Sequence, residues 1–180
     1  MMLFYILVAV LVVVAMAVYV SWRAGRLDRL HHRTDGARTG LELALVRRSS
    51  AAYELASSGL LDPATSLLLA DAVRRTKEDD GTRADLFDRE LAESDLTRAL
   101  RAAFTQPEFR PSLKDNEGAE ELVAGVEAAA RQVFLSRKFY NDIVARTLEA
   151  RRRPLVQVFR LAGHASRPVF FEMDDVLSDE

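Results

Sequence analysis

Residues 115–152 read DNEGAEELVAGVEAAARQVFLSRKFYNDIVARTLEARR, a stretch without proline whose apolar residues recur in three- and four-residue steps. At about 100° per residue, Leu122, Val126, Ala129, Val133, Ser136, Tyr140, Val144 and Thr147 fall on one stripe. The pattern predicts a helix from near Asp115 or Asn116 to about Arg152, where Pro154 interrupts it. At about 1.5 Å per residue it is roughly 55 Å long. The stripe is a coiled-coil-like seam. Val123, Phe134, Leu135 and Phe139 lie off it, so this helix is expected to bury more than one side against its neighbours.

Downstream, Leu155, Val156, Val158, Phe159, Leu161 and Ala162 predict a short helix closed by Gly163. Residues 164–180 then form an extended acidic tail. Upstream, Pro107 and Pro111 bracket a connection, and Ala84 to about Thr105 predicts a helix carrying Leu86, Phe87, Leu91, Leu96, Ala99, Leu100, Ala103 and Phe104. Asp79, Asp80, Gly81 and Thr82 form a polar turn. Before it, Asp62 can cap and Pro63 can take the first position of a helix reaching Lys77 with Leu67, Leu68, Leu69, Ala70 and Val73. An earlier helix spans Arg38 to about Ser57, either separate or as a near-continuation of the N-terminal apolar helix through Trp22 to Arg33, with Thr34, Asp35 and Gly36 as a weak break. The expectation is an all-α protein in which residues 37–163 form an antiparallel bundle of three or four long helices.

Residues Met1 to Trp22, MMLFYILVAVLVVVAMAVYVSW, carry no charged side chain and match the run of about 20 apolar residues that crosses about 30 Å of hydrocarbon. A cleaved secretory signal needs a charged region first and a shorter apolar core, so a persistent single-pass anchor is expected. Segment 23–36 is basic: Arg23, Arg26, Arg29 and Arg33 follow the apolar run, with Asp28 opposing. Short basic flanks stay on the cytoplasmic side, which puts the N-terminus outside and the bundle in the cytoplasm. The same arginines can meet anionic headgroups at the membrane surface. The chain has no cysteine, which excludes disulfides and thiolate chemistry. Its formal charge of -2, with Lys only at 77, 114 and 138, gives no general attraction to nucleic acid.

Glu93-Ser94-Asp95-Leu96-Thr97-Arg98-Ala99-Leu100, then Ser136-Arg137-Lys138-Phe139-Tyr140-Asn141, Phe159-Arg160-Leu161-Ala162-Gly163 and Pro168-Val169-Phe170-Phe171-Glu172 follow in order along the C-terminal half. In this order they resemble the characteristic blocks of the LemA family, and Leu45-Val46-Arg47-Arg48 is similar to its arginine pair. The resemblance implies a bacterial or archaeal membrane protein with a bundle of long helices and no established biochemical activity. The chain departs from the family's pattern at Ser49 to Tyr53, at the Asp62-Pro63 break and at Ser94.

On a helical wheel Leu41, Ala44, Leu45, Ala52, Leu55 and Ala56 define an apolar face, with Arg48 projecting from its middle and Arg47 pointing away. A guanidinium there must find a carboxylate or snorkel to water. Glu93, about 60° from Leu96 on its own apolar face, is the leading partner. The alternative is a surface arginine over a short helix. Tyr140 and Asn141 read as polar anchors on the seam. His31 and His32 are adjacent and so lie on different helix faces, and His164 stands alone, so no metal site is expected. The acidic residues Glu172, Asp174, Asp175, Asp179 and Glu180 read by default as a solvated terminus.

No phosphate-cradling glycine loop, cofactor motif or nucleophile with a base is present, although Glu54, Asp71, Asp85 and Glu93 sit on helices that can converge. Two function classes remain. One is a membrane-tethered scaffold or adaptor presenting helix surfaces to protein partners. The other is an accessory hydrolase or envelope-processing protein with a carboxylate-lined cleft. Self-association through Phe134, Leu135 and Phe139 is compatible with both.

Overall fold

The computed structural model of the chain describes residues 1–78, 85–107, 109–114, 116, 118–158 and 166–177. The fold is all-helical, with one N-terminal apolar helix followed by a helix bundle. In chain order the helices are α1 (Met2–Ser57), α2 (Pro63–Thr76), α3 (Asp85–Phe104), α4 (Phe109–Lys114), α5 (Ala119–Arg152) and α6 (Pro154–Val158). The expected turn at 79–82, the segment Phe159 to Gly163 and His164 lie outside the described residues.

The expected break at Thr34–Gly36 is absent, and α1 runs unbroken for 56 residues. The Thr34 hydroxyl donates back to Leu30 O at 2.9 Å, which satisfies its polar atom within the helix. One interior glycine disfavours a helix by only about 1 kcal/mol, less than burying the inner face formed by Thr34 and Ala37 returns. The Met2–Tyr19 stretch of this helix is long and apolar enough to cross a membrane by length and composition, and none of it is buried within the protein.

Contact clustering divides the chain into two units. Unit 1 comprises Met1–Arg38 and Tyr140–Phe170. Here α1 and α5 run antiparallel, because Thr34 Oγ1 lies 3.2 Å from Thr147 Oγ1 while His31, one turn earlier, meets Arg151, one turn later. Ala37, Tyr140, Ile143, Val144 and Val156 bury the apolar side of this unit.

Unit 2 comprises Thr39–Phe139 and Phe171–Glu180. Its core takes Ala52 and Leu55 from α1, Leu69 and Val73 from α2, Leu96, Leu100 and Ala103 from α3, and Val123 and Val126 from α5. Gly59, with φ 77°, takes the left-handed conformation that ends α1 and lets the chain reverse. Asp62 then caps α2, its Oδ1 accepting from Ala64 N at 3.0 Å and Thr65 N at 3.1 Å, with Pro63 at the first helical position where it sacrifices no hydrogen bond. Ser49 Oγ to Thr76 Oγ1 at 3.1 Å, and Gln106 Nε2 to Thr65 Oγ1 at 2.6 Å, set α2 antiparallel to both α1 and α3.

Where Pro107 and Pro111 suggested only a connection, α4 forms. Pro111 is its third residue, in the first turn, whose N–H groups have no intrahelical partner to lose. The rings of Phe104 and Phe109 stack with centroids 5.4 Å apart and fasten α4 to the end of α3. On α5, Val126, Val133, Tyr140, Val144 and Thr147 of the expected seam are buried, joined by Val123, Ala130 and Ile143. The expectation that Phe134, Leu135 and Phe139 are covered does not hold; all three are exposed, because the neighbouring elements occupy only the seam side.

Candidate functional site

Among the described residues, two charged side chains are almost wholly withdrawn from water, and they form an ion pair inside unit 2. Arg48 on α1 is 1% exposed and Glu93 on α3 is 2% exposed. Arg48 Nη2 donates to Glu93 Oε2 at 2.6 Å and to Glu93 O at 3.1 Å, and Nη1 donates to Thr97 Oγ1 at 2.8 Å. Thr97 in turn donates to Glu93 O at 3.1 Å. Among the described residues Arg48 Nε has no acceptor. Burial pushes the Glu93 carboxyl above the usual carboxylate range, and the Arg48 guanidinium opposes that push. Such an arrangement reads as structural: Glu93 Oε2 and the Glu93 carbonyl both accept from Arg48, and neither residue lines the unit 2 cleft described below. The sequence indicated Arg48 and Glu93 but not Thr97, although Thr97 sits one helical turn after Glu93 on the same face.

As far as Leu177 the acidic tail is not the solvated terminus expected of it, and Asp179 and Glu180 lie outside the described residues. Residues 166–177 are extended, with Phe171 and Asp175 buried. In unit 2, Asp175 takes a two-point grip from Arg137 on α5, Nε to Oδ2 at 2.6 Å and Nη2 to Oδ1 at 3.0 Å. Arg101 Nη2 on α3 reaches Asp174 Oδ1 at 2.9 Å and also donates to Val176 O. Backbone N–H groups of Glu172 and Asp174 donate to Glu90 Oε1 at 2.8 Å and Ser94 Oγ at 3.1 Å. An alternating arginine pair on two helices facing an acidic strand-like segment was not read from the sequence, because only the folded topology brings Arg101 and Arg137 to one groove.

In unit 1 the Tyr140 ring is buried and its hydroxyl donates to Val169 O at 2.8 Å, so its partner is an extended segment instead of a helix. Asn141 is partly buried beside it in sequence. His31 Nε2 lies 3.3 Å from Arg151 Nη1, which also donates to Ser166 O at 2.8 Å. Burial first, and then the Arg151 guanidinium, hold the His31 pKa below its ordinary value against the pull of Asp35 and Asp28. Because the folded value is depressed, the unfolded chain takes up this proton first. The contribution of His31 is thus complete above the ordinary histidine pKa of about 6.5 and is lost as pH falls toward the folded value. In an NMR titration His31 is expected to titrate below its ordinary value and to move up toward it in Arg151→Ala; titration at or above the ordinary value contradicts this account.

Two concavities exist among the larger ones. On unit 2 a cleft of about 290 Å³ is lined by Arg75, Glu78, Asp88, Arg89, Leu91 and Asp95. Two of its three carboxylates are engaged: Asp95 meets Arg75 at 3.3 Å and also Arg98, and Glu78 meets Arg74. Glu54, Asp71 and Glu93 do not line it. On unit 1 a groove of about 730 Å³ is lined by Trp22, Arg26, Arg29 and Arg33 from α1 and by Arg146, Glu149 and Arg153. The Arg23 side chain lies outside the described residues. Among the described residues no three histidines or carboxylates converge as a metal site. No known protein family, curated protein or solved structure matches the chain.

Proposed function

We propose that this chain is a membrane-anchored helical scaffold of the LemA type, held by residues 1–22 with its N-terminus outside, and recruiting protein partners to the cytoplasmic face. What supports this reading is the contrast between closed polar chemistry and open apolar helix faces. The buried ion pair and the tail clamps bind groups of the chain itself, whereas Phe87 is 70% exposed, Phe139 is 61% exposed and Leu67 is 72% exposed. On α5 alone, Phe134, Leu135 and Phe139 are exposed within six residues, and exposed apolar side chains that cluster, unlike single ones, mark a surface for a partner to cover. The basic residues after the apolar run favour the cytoplasmic orientation. A tether then acts by raising effective concentration, with no turnover needed. The alternative reading, an accessory hydrolase, has less support because two of the three carboxylates of the unit 2 cleft, Glu78 and Asp95, are paired with arginines, which leaves Asp88 without a second free carboxylate beside it.

The chain has no native cysteine, so Phe139→Cys provides a single reporter on an exposed site. With a membrane-impermeant thiol reagent, no labelling is expected in intact cells and labelling is expected after lysis. In lysed membranes it should proceed several-fold more slowly than in the purified chain, because a partner covers the face. Labelling in intact cells overturns the orientation, and equal rates in membranes and purified chain overturn the scaffold.

A further inference from the structure

The groove on unit 1 gathers five arginines, Arg26, Arg29, Arg33, Arg146 and Arg153, against the single carboxylate of Glu149. Arg146 also meets Asp142 at 2.9 Å. Among the described residues Arg26, Arg29, Arg33 and Arg153 make no ion pair. A topology signal requires basic residues only next to the span, that is, on α1. Arg146 and Arg153 come from the far end of α5 and the residue that follows it, more than a hundred positions later, yet antiparallel pairing brings them to the same groove. Convergence of guanidinium groups from two helices is what a phosphate or phosphodiester requires, since each planar fork can engage two oxygens.

The position selects the source of that phosphate. The helix is unbroken from Tyr19, the end of the apolar window, into the groove. At about 1.5 Å per residue Trp22 lies about 5 Å and Arg26 about 10 Å beyond that end. The headgroup layer begins at the edge of the hydrocarbon, and Trp is the side chain that prefers this boundary. We propose that the groove binds the phosphate of an anionic phospholipid headgroup, with Arg26 and Arg29 on one wall and Arg153 on the other, while Arg33 and Arg146, farther from the span, add to the positive field. The inference rests on the membrane-anchored reading of Met2–Tyr19.

Trp22 lines the groove and is the single tryptophan of the chain, which makes it a local probe of lipid composition. The full chain is reconstituted in nanodiscs of phosphatidylcholine with a minority of phosphatidylglycerol, one or the other lipid carrying acyl-chain bromines that quench Trp22. The comparison is repeated for Arg146→Gln with Arg153→Gln, both exposed positions, with helicity checked by circular dichroism. Phosphatidylglycerol is expected to be enriched around Trp22 by about threefold or more over its bulk fraction in the native chain and to fall to about its bulk fraction in the double variant. No enrichment in the native chain overturns the proposal. So does enrichment that survives in the double variant, which assigns the effect to α1 alone. Loss of enrichment on adding millimolar inorganic phosphate reassigns the groove to a soluble anion and overturns the lipid as its occupant. Absence of quenching by either brominated lipid shows instead that Trp22 is not at a bilayer, and the anchor reading fails with the inference.

Discussion

Replacing Arg48 by Met is expected to destabilise unit 2 by about 3–5 kcal/mol, the range for breaking one side of a buried ion pair. The methionine fills most of the arginine's volume, so little of this loss is cavity. It arises because Glu93, 2% exposed, loses its bonded guanidinium and keeps only the Coulomb pull of Arg89, so it must stay charged out of water or take up a proton. Adding Glu93→Leu should recover most of the loss, since a well-packed apolar pair is often as stable as the ion pair it replaces. The comparison is made by chemical unfolding of the detergent-solubilised chain followed by circular dichroism. A single variant as stable as the native chain would show that the pair contributes nothing to the fold.

The pH dependence of Arg48→Met supplies an independent check. Burial already pushes the Glu93 pKa up in the native chain, and removing the opposing guanidinium pushes it further. The folded variant then holds a proton that the unfolded chain has released. Its stability therefore falls as pH rises through the folded value and is recovered on acidification, present in full only below the unfolded carboxylate pKa. Arg48→Met with Glu93→Leu lacks the group and should lose this slope.

The second large effect is expected at the tail. Phe171→Ala should cost up to about 3 kcal/mol, the low end for a buried phenylalanine, because the segment can peel away instead of leaving a cavity. Asp175→Ala should cost about 1.5–3 kcal/mol by leaving the largely buried Arg137 guanidinium without its two-point acceptor. Both variants should become cleavable by protease near 166–177 while α3 and α5 stay resistant. Tail protection equal to that of the native chain in both variants would rule out the clamp.

The parts of this architecture legible in the sequence are those set by local rules. Asp62-Pro63 marked the start of α2 because capping and proline geometry involve only neighbouring residues. The α5 seam was legible because burial on one side of a long helix imposes its period on the sequence. Arg48 stood out because a charge on an apolar face has few physical outcomes. What escaped depends on distant pairing. Thr34 to Gly36 reads as a break until Thr34 meets Thr147, and the acidic tail reads as solvated until Arg101 and Arg137 are seen side by side. Phe134 and Phe139 show the converse failure, since apolar composition alone does not say which side of a helix gains a neighbour.

The continuity of α1 also bears on how its aqueous portion forms. Starting a helix in water is unfavourable by a factor of about a thousand, whereas extending one adds a hydrogen bond for each residue ordered. Inside hydrocarbon a spanning segment has no alternative to the helix, because no water is present to satisfy its peptide groups. With Met2–Tyr19 in the bilayer, residues from Val20 onward inherit a nucleus and need only propagate it. The glycines at 25, 36 and 40, which would discourage nucleation in an isolated peptide, then slow nothing but the growth of a helix already begun. On the membrane-anchored reading, the bilayer serves as a folding template for residues that never enter it.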